Sequence, residues 1–186
     1  MKTILQVEDD PNDVFLLQHA MKKMGVANPL QVASDGQQAI DYLQGTGKFT
    51  DRGKFPLPCL VLLDLKLPYV MGLEVLRWIR KQPGVALPVV MLTASAEDAD
   101  IATAYRLGAN AFLTKPSEAN KLEDMVKAIR DFWLTHNMLP QESYKERPAH
   151  SLTIGPHATH PASVNGQCRE ERPRNNKANK ANEANL

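Results

Sequence analysis

LVLLDLKLPYVMG (residues 60–72) runs four apolar residues into a carboxylate, Asp64, and then into a short loop carrying Lys66, Pro68 and Gly72. A short continuous apolar run reads as a strand buried on both faces, the habit of parallel sheets. Ending such a strand on a charge needs a reason. Burying an unpaired carboxylate is costly, so Asp64 must be neutralised, paired or bound to a metal.

Short apolar runs recur at ILQV (4–7), LQVA (30–33), CLVLL (59–63), VVML (89–92) and AFLT (111–114). Helical patterns fill the intervals. Val14, Leu17, Met21 and Met24 share one helix face, with Asp10 as N-cap, Pro11 at the first helical position and Gly25 as terminator. Ala39, Ile40 and Leu43 mark a second helix stopped by Gly45. Leu73, Leu76 and Ile79 or Arg80 mark a third, ended by Pro83-Gly84. Residues 97–107 form a fourth, and Ser117 caps a fifth in which Leu122, Met125, Ile129 and Phe132 or Trp133 share a face.

Alternating β and α units predict an α/β fold, a doubly wound five-stranded parallel sheet of the flavodoxin-like type with strand order 2-1-3-4-5. In that architecture ligands sit beyond the carboxyl ends of the strands, where the order reverses.

The bulk numbers agree with one globular domain and a tail: 186 residues, 43% hydrophobic, 23% charged, net charge +1. The near-zero charge gives no indication of a nucleic-acid or membrane partner. No stretch reads as a membrane span or a signal segment. Two cysteines, Cys59 and Cys168, are too few for a disulfide framework, and Cys59 reads as a small buried hydrophobe. The cytoplasm is the expected compartment.

Two segments depart from the repeat. GTGKFTDRGKFPLP (45–58) exceeds an ordinary helix-to-strand loop of roughly 2–6 residues, and reads equally as a surface excursion or a partner contact. From Pro140 the chain is poor in large apolar residues and closes on NNKANKANEANL. The expected division is therefore a domain over 1–139 and a disordered tail over 140–186. His150, His157 and His160 in that tail read as scattered residues rather than a metal site.

The strand ends carry the chemistry. Glu8, Asp9 and Asp10 follow the first strand, Asp64 the third, Thr93 ends the fourth, and Lys115-Pro116 follows the fifth. Taken singly, each has an ordinary reading: a capped helix start, a strand hydroxyl, a surface lysine. Pro116 also allows a cis bond after Lys115. Taken together they converge on one pocket. Glu8, Asp9 and Asp64 would repel one another unless a cation sat among them, and hard oxygen ligands with room for waters describe a Mg²⁺ site. With Lys115 and Thr93 on the far side, Asp64 can act as a nucleophile and accept a phosphoryl group.

ILQVEDDP, LLDLKLPYVMG, VVMLTAS and AFLTKP together resemble the receiver domain of two-component response regulators, over residues 3 to about 136. The resemblance implies that Asp64 is the phospho-acceptor, loaded from a phosphohistidine on a sensor histidine kinase. It implies Mg²⁺ held by Glu8, Asp9, Asp64 and the Lys66 backbone carbonyl, and Lys115 paired with the phosphoryl group. Thr93 and Phe112 occupy the switch positions, although Phe112 reads equally as a plain core aromatic. Lys66 and Ser95 occupy positions that tune phosphate lifetime.

YLQGTGKFTDRGKFPLP and LLDLKLPYVMGLEVLRWIRK look like the stand-alone regulators of cyanobacterial phytochromes. That implies no output domain and a homodimer through the face of the fourth helix, fifth strand and fifth helix. Phe132 and Trp133 suit either that interface or the protein's own core. An aspartyl-phosphate phosphatase would carry a second Asp where Lys66 stands, and a flavodoxin-type binder would need a Gly/Ser/Thr-rich loop in place of EDDPND. A receiver used only as a phosphorylation-independent binding module is the remaining alternative.

Overall fold

The structure, a computed structural model, describes residues 2–83, 86–94 and 97–139. The expected tail, its histidines, Cys168, Ser95 and Gly84 lie outside the described residues.

Elements alternate along the chain: β1 (Thr3–Val7), α1 (Pro11–Lys23), β2 (Leu30–Ala33), α2 (Gly36–Gln44), β3 (Pro58–Leu63), α3 (Gly72–Lys81), β4 (Val89–Thr93), α4 (Asp98–Arg106), β5 (Ala111–Thr114) and α5 (Ala119–Ile129), continued by a π-helical segment, Arg130–His136. All four strand pairings are parallel and the order is β2-β1-β3-β4-β5, as expected. Every residue of β1, β3 and β4 is buried, because helices cover both faces of the sheet.

Strand alternation divides the core in two. Leu5, Val7, Val61, Leu63 and Met91 pack against α2, α3 and α4 through Tyr42, Val75, Leu76, Ile79 and Ala104. Ile4, Leu60, Leu62, Val90 and Leu92 pack against α1 and α5 through Leu17, Met21, Val126 and Ile129. Cys59 is buried in the second layer, as expected.

Local signals explain most boundaries. Asp10 caps α1 by accepting the Asn12 N–H at 2.8 Å, with Pro11 at the first position. Asp35 caps α2 by accepting from Gln38 N–H, and Gly45 closes it at φ 75°. At α3 the Glu74 carboxylate accepts the Met71 N–H at 3.0 Å. The start of α5 differs from expectation: its N-cap is Glu118, not Ser117, and no side chain caps it. The Glu118 carboxylate pairs with Lys121 in the first turn instead. The Lys115–Pro116 bond is trans.

The segment 45–58 is anchored to the core by its aromatic residues, while residues 46–48, 50, 51, 53 and 54 are exposed. Phe49 is buried, and Tyr42, Phe49 and Phe55 meet edge-to-face, with ring centroids 5.1–6.1 Å apart. The Arg52 guanidinium donates to the carbonyls of Tyr42 (2.7 Å), Leu43 (2.8 Å) and Phe55 (3.2 Å), capping the end of α2. Tyr42 Oη donates to the Pro56 carbonyl at 2.7 Å, and burial pushes its phenol up to about 12.

Phe132 and Trp133 also separate. Trp133 packs against the α1–α5 layer, while Phe132 is 56% exposed.

Candidate phosphoryl-acceptor site

Backbone bonds at the carboxyl edge of the sheet set the side chains. Val7 pairs with Leu63, so the residues that follow, Glu8 and Asp64, emerge side by side. The Glu8 N–H donates to the Ala33 carbonyl (2.9 Å), the Asp64 N–H to Val7 (3.0 Å) and the Lys115 N–H to Thr93 (2.8 Å). Glu8 and Asp64 each stand one step beyond a fully buried strand, and Lys115 one step beyond the half-buried edge strand β5.

Lys115 Nζ is the hub. It donates to Asp64 Oδ2 at 2.7 Å, Glu8 Oε2 at 2.5 Å and Asp13 Oδ2 at 2.8 Å. Asp64 is buried, and its second oxygen accepts the Lys66 N–H at 3.3 Å. Burial pushes the Glu8 carboxyl above its ordinary value; the hydrogen bond and charge of Lys115 pull it back, and the Asp64 charge adds to the rise. Burial alone would lower the Lys115 ammonium, yet its hydrogen bonds to Asp13, Asp64 and Glu8 raise it on balance.

Glu8, Asp9 and Asp64 each offer a carboxylate oxygen, and these lie within 4.8 Å of one another. Glu8 and Asp64 are buried and Asp9 is exposed, so the trio opens to solvent on one side. A cluster of hard, anionic oxygens with an open side fits a divalent cation that keeps some of its water.

Of the expected residues, Glu8, Asp9, Asp64 and Lys115 come together through their side chains. Thr93 is buried and joins through its carbonyl; none of the three side-chain hydrogen bonds of Lys115 goes to its hydroxyl. Phe112 lies in β5 opposite Met91, partly buried against the α2–α4 layer. The Lys66 side chain is exposed in the loop after Asp64. Ser95 lies outside the described residues.

In the sequence Asp13 reads only as part of the capped start of the first helix, not as a site residue. The signal was available: it precedes buried Leu17 by four residues and so lies on the helix face turned to the sheet. An acidic residue in a first helical turn has an ordinary explanation in the helix dipole, which masked it.

Two glycines hold the neighbouring loop close. A Cβ on Gly72 would stand 2.0 Å from the Asp64 carbonyl oxygen, and one on Gly36 2.0 Å from that of Val70. Between them Tyr69 adopts φ 64° and is 89% exposed.

The sequence profile of the response regulator receiver domain matches residues 4–127. Response regulator Rcp1 of Synechocystis sp. is 39% identical over 140 residues, spanning 75% of this chain and 93% of that protein. The crystal structure of its Mn²⁺-bound form superimposes with a TM-score of 0.67, at 38% identity, covering 75% of this chain and 99% of that one. The phosphorylated cyanobacterial phytochrome response regulator RcpA aligns at 36% identity with a TM-score of 0.69, covering 75% and 99%. Response regulator RPA3017, from red light signaling of R. palustris, aligns at 34% identity with a TM-score of 0.72, covering 76% and 99%.

Proposed function

The chain belongs to the response regulator receiver domain family, and from that premise we propose that it accepts a phosphoryl group on Asp64 from a phosphohistidine of a sensor histidine kinase. The observation that carries this reading is the 2.7 Å contact of Lys115 Nζ with Asp64 Oδ2 beside the Glu8–Asp9–Asp64 cluster. A carboxylate oxygen of Asp64 attacks phosphorus as the phosphorus–nitrogen bond breaks, and the departing imidazole keeps the bonding pair. Lys115 offsets charge on the phosphoryl oxygens. Glu8, Asp9 and Asp64 would hold Mg²⁺, with the Lys66 carbonyl; when bound, the cation neutralises phosphoryl charge. Water later attacks phosphorus, releasing inorganic phosphate and restoring Asp64. The protein thus promotes its own phosphorylation and dephosphorylation rather than turning over an external substrate.

Thr93 and Phe112 are the switch residues, and exposed Lys66 tunes phosphate lifetime. The kinase is a phytochrome, a reading supported by the likeness to RcpA and RPA3017. The protein works in the cytoplasm, without nucleic acid, as a homodimer through the face of α4, β5 and α5. No helix among the described residues is long and apolar enough to cross a membrane.

Intact mass after incubation with acetyl phosphate tests the central step. One added phosphoryl group is expected with Mg²⁺, and none with chelator or in Asp64→Asn. A mass gain that survives Asp64→Asn would assign the phosphate elsewhere. No adduct, together with no response to beryllofluoride, would leave the binding-module alternative.

A further inference from the structure

The three carboxylates on Lys115 are not equivalent. Glu8 and Asp64 belong to the cluster whose oxygens lie within 4.8 Å of one another, and Asp13 does not. Both Glu8 oxygens already accept one hydrogen bond each: Oε2 from Lys115, and Oε1 from the Asp10 N–H at 3.3 Å. A cation seated on Glu8 and Asp64 shares both carboxylates with the Lys115 ammonium and repels it at short range. The Lys115 side chain is only 12% exposed, so water is poorly placed to take over the lost bonds. A buried ammonium stripped of its partners is costly, and that cost would oppose cation binding.

Asp13 changes this balance. It projects from the first turn of a capped helix, at 33% side-chain exposure, and touches Lys115 at 2.8 Å. We infer that Asp13 is a positioning residue for Lys115: it retains the ammonium while Glu8 and Asp64 turn to a divalent cation, and so keeps Lys115 at the site where the phosphoryl group arrives. The inference rests on the reading of this site as a cation-dependent phospho-acceptor.

The test is a double-mutant cycle on Mn²⁺ affinity, read from the free-ion signal by electron paramagnetic resonance with no phosphodonor present. Asp13→Asn should weaken Mn²⁺ binding roughly three- to thirtyfold in the otherwise native protein, and by less than about twofold in a Lys115→Gln background. Equal losses in both backgrounds would reduce Asp13 to a remote charge, and no loss in the native background would overturn the inference outright. Should Lys115→Gln fail to fold, a crystal structure of the native protein with Mn²⁺ decides. Lys115 Nζ within hydrogen-bond distance of Asp13 and withdrawn from Glu8 supports the inference, and Nζ away from Asp13 overturns it. Absence of Mn²⁺ binding overturns it too. Failure of phosphorylation with the coupling intact would remove the phospho-acceptor reading alone.

Discussion

A β-carbon on Gly72 would come 2.0 Å from the carbonyl oxygen of Asp64, far inside van der Waals contact. The start of α3 and the proposed nucleophile are thus packed backbone to backbone, and the Gly72 N–H donates to the Leu65 carbonyl at 3.0 Å. Gly72→Ala must push one backbone away from the other. We expect a loss of about 1–3 kcal/mol in urea unfolding, together with a marked drop in phosphoryl acceptance. An alanine variant with native stability and native phosphorylation would show that the loop yields freely.

Tyr42 predicts a response to alkali. Its phenol is pushed up to about 12 by burial, against an ordinary value of 10.0, with the Arg52 charge pulling the other way. A raised folded-state value means that the unfolded chain loses this proton first. Stability from this group is complete below pH 10 and is lost as pH rises from about 10 to about 12. Tyr42→Phe should flatten the fall in unfolding free energy over that window, while costing about 0.5–1.5 kcal/mol at neutral pH for the lost bond to Pro56. An unchanged alkaline slope in the variant would count against the assignment.

Arg52 closes the end of α2 with bonds to the Tyr42 and Leu43 carbonyls, and a third bond to the Phe55 carbonyl ties its own segment down. Arg52→Met should destabilise the protein by about 1–3 kcal/mol, since partly buried carbonyls lose a charged donor. Phosphorylation of the surviving folded protein should be native, because Arg52 makes no hydrogen bond to Glu8, Asp64 or Lys115. Loss of phosphorylation without loss of stability would contradict this separation.

Phe132 and Trp133 lie next to each other, with ring centroids 4.8 Å apart, yet face different surroundings. Trp133→Ala should cost about 1–3 kcal/mol because its ring packs on the α1–α5 layer. Phe132→Ser should change stability by no more than about 0.5 kcal/mol. If the proposed dimer uses this ring, sedimentation velocity will show Phe132→Ser shifted toward monomer. A dimer unaffected by the substitution would move the interface away from Phe132.

How far these features were legible in sequence depends on how local their causes are. Asp10 and Pro11 announce the start of α1 because a cap acts on backbone groups two residues away. Ser117 misled by one position: Glu118 takes the cap site with its carboxylate engaged by Lys121. Competition of that kind between adjacent polar residues leaves no trace in periodicity. Phe49 and Phe55 stood in a segment that looked like an insertion, and their burial depends on where the Tyr42 ring stands.

The architecture, and the carboxylates gathered at the carboxyl edge of the sheet, are legible in the chain alone. Buried parallel strands need continuous apolar runs, so a carboxylate at the end of one, as at Asp64, is visible in the chain alone. What Lys115 holds is fixed by packing rather than by any local pattern. Its bond to Asp13 joins residues 102 positions apart, one in the first turn of α1 and the other just after β5. No local pattern encodes such a contact, because it exists only once both elements are packed beside the sheet.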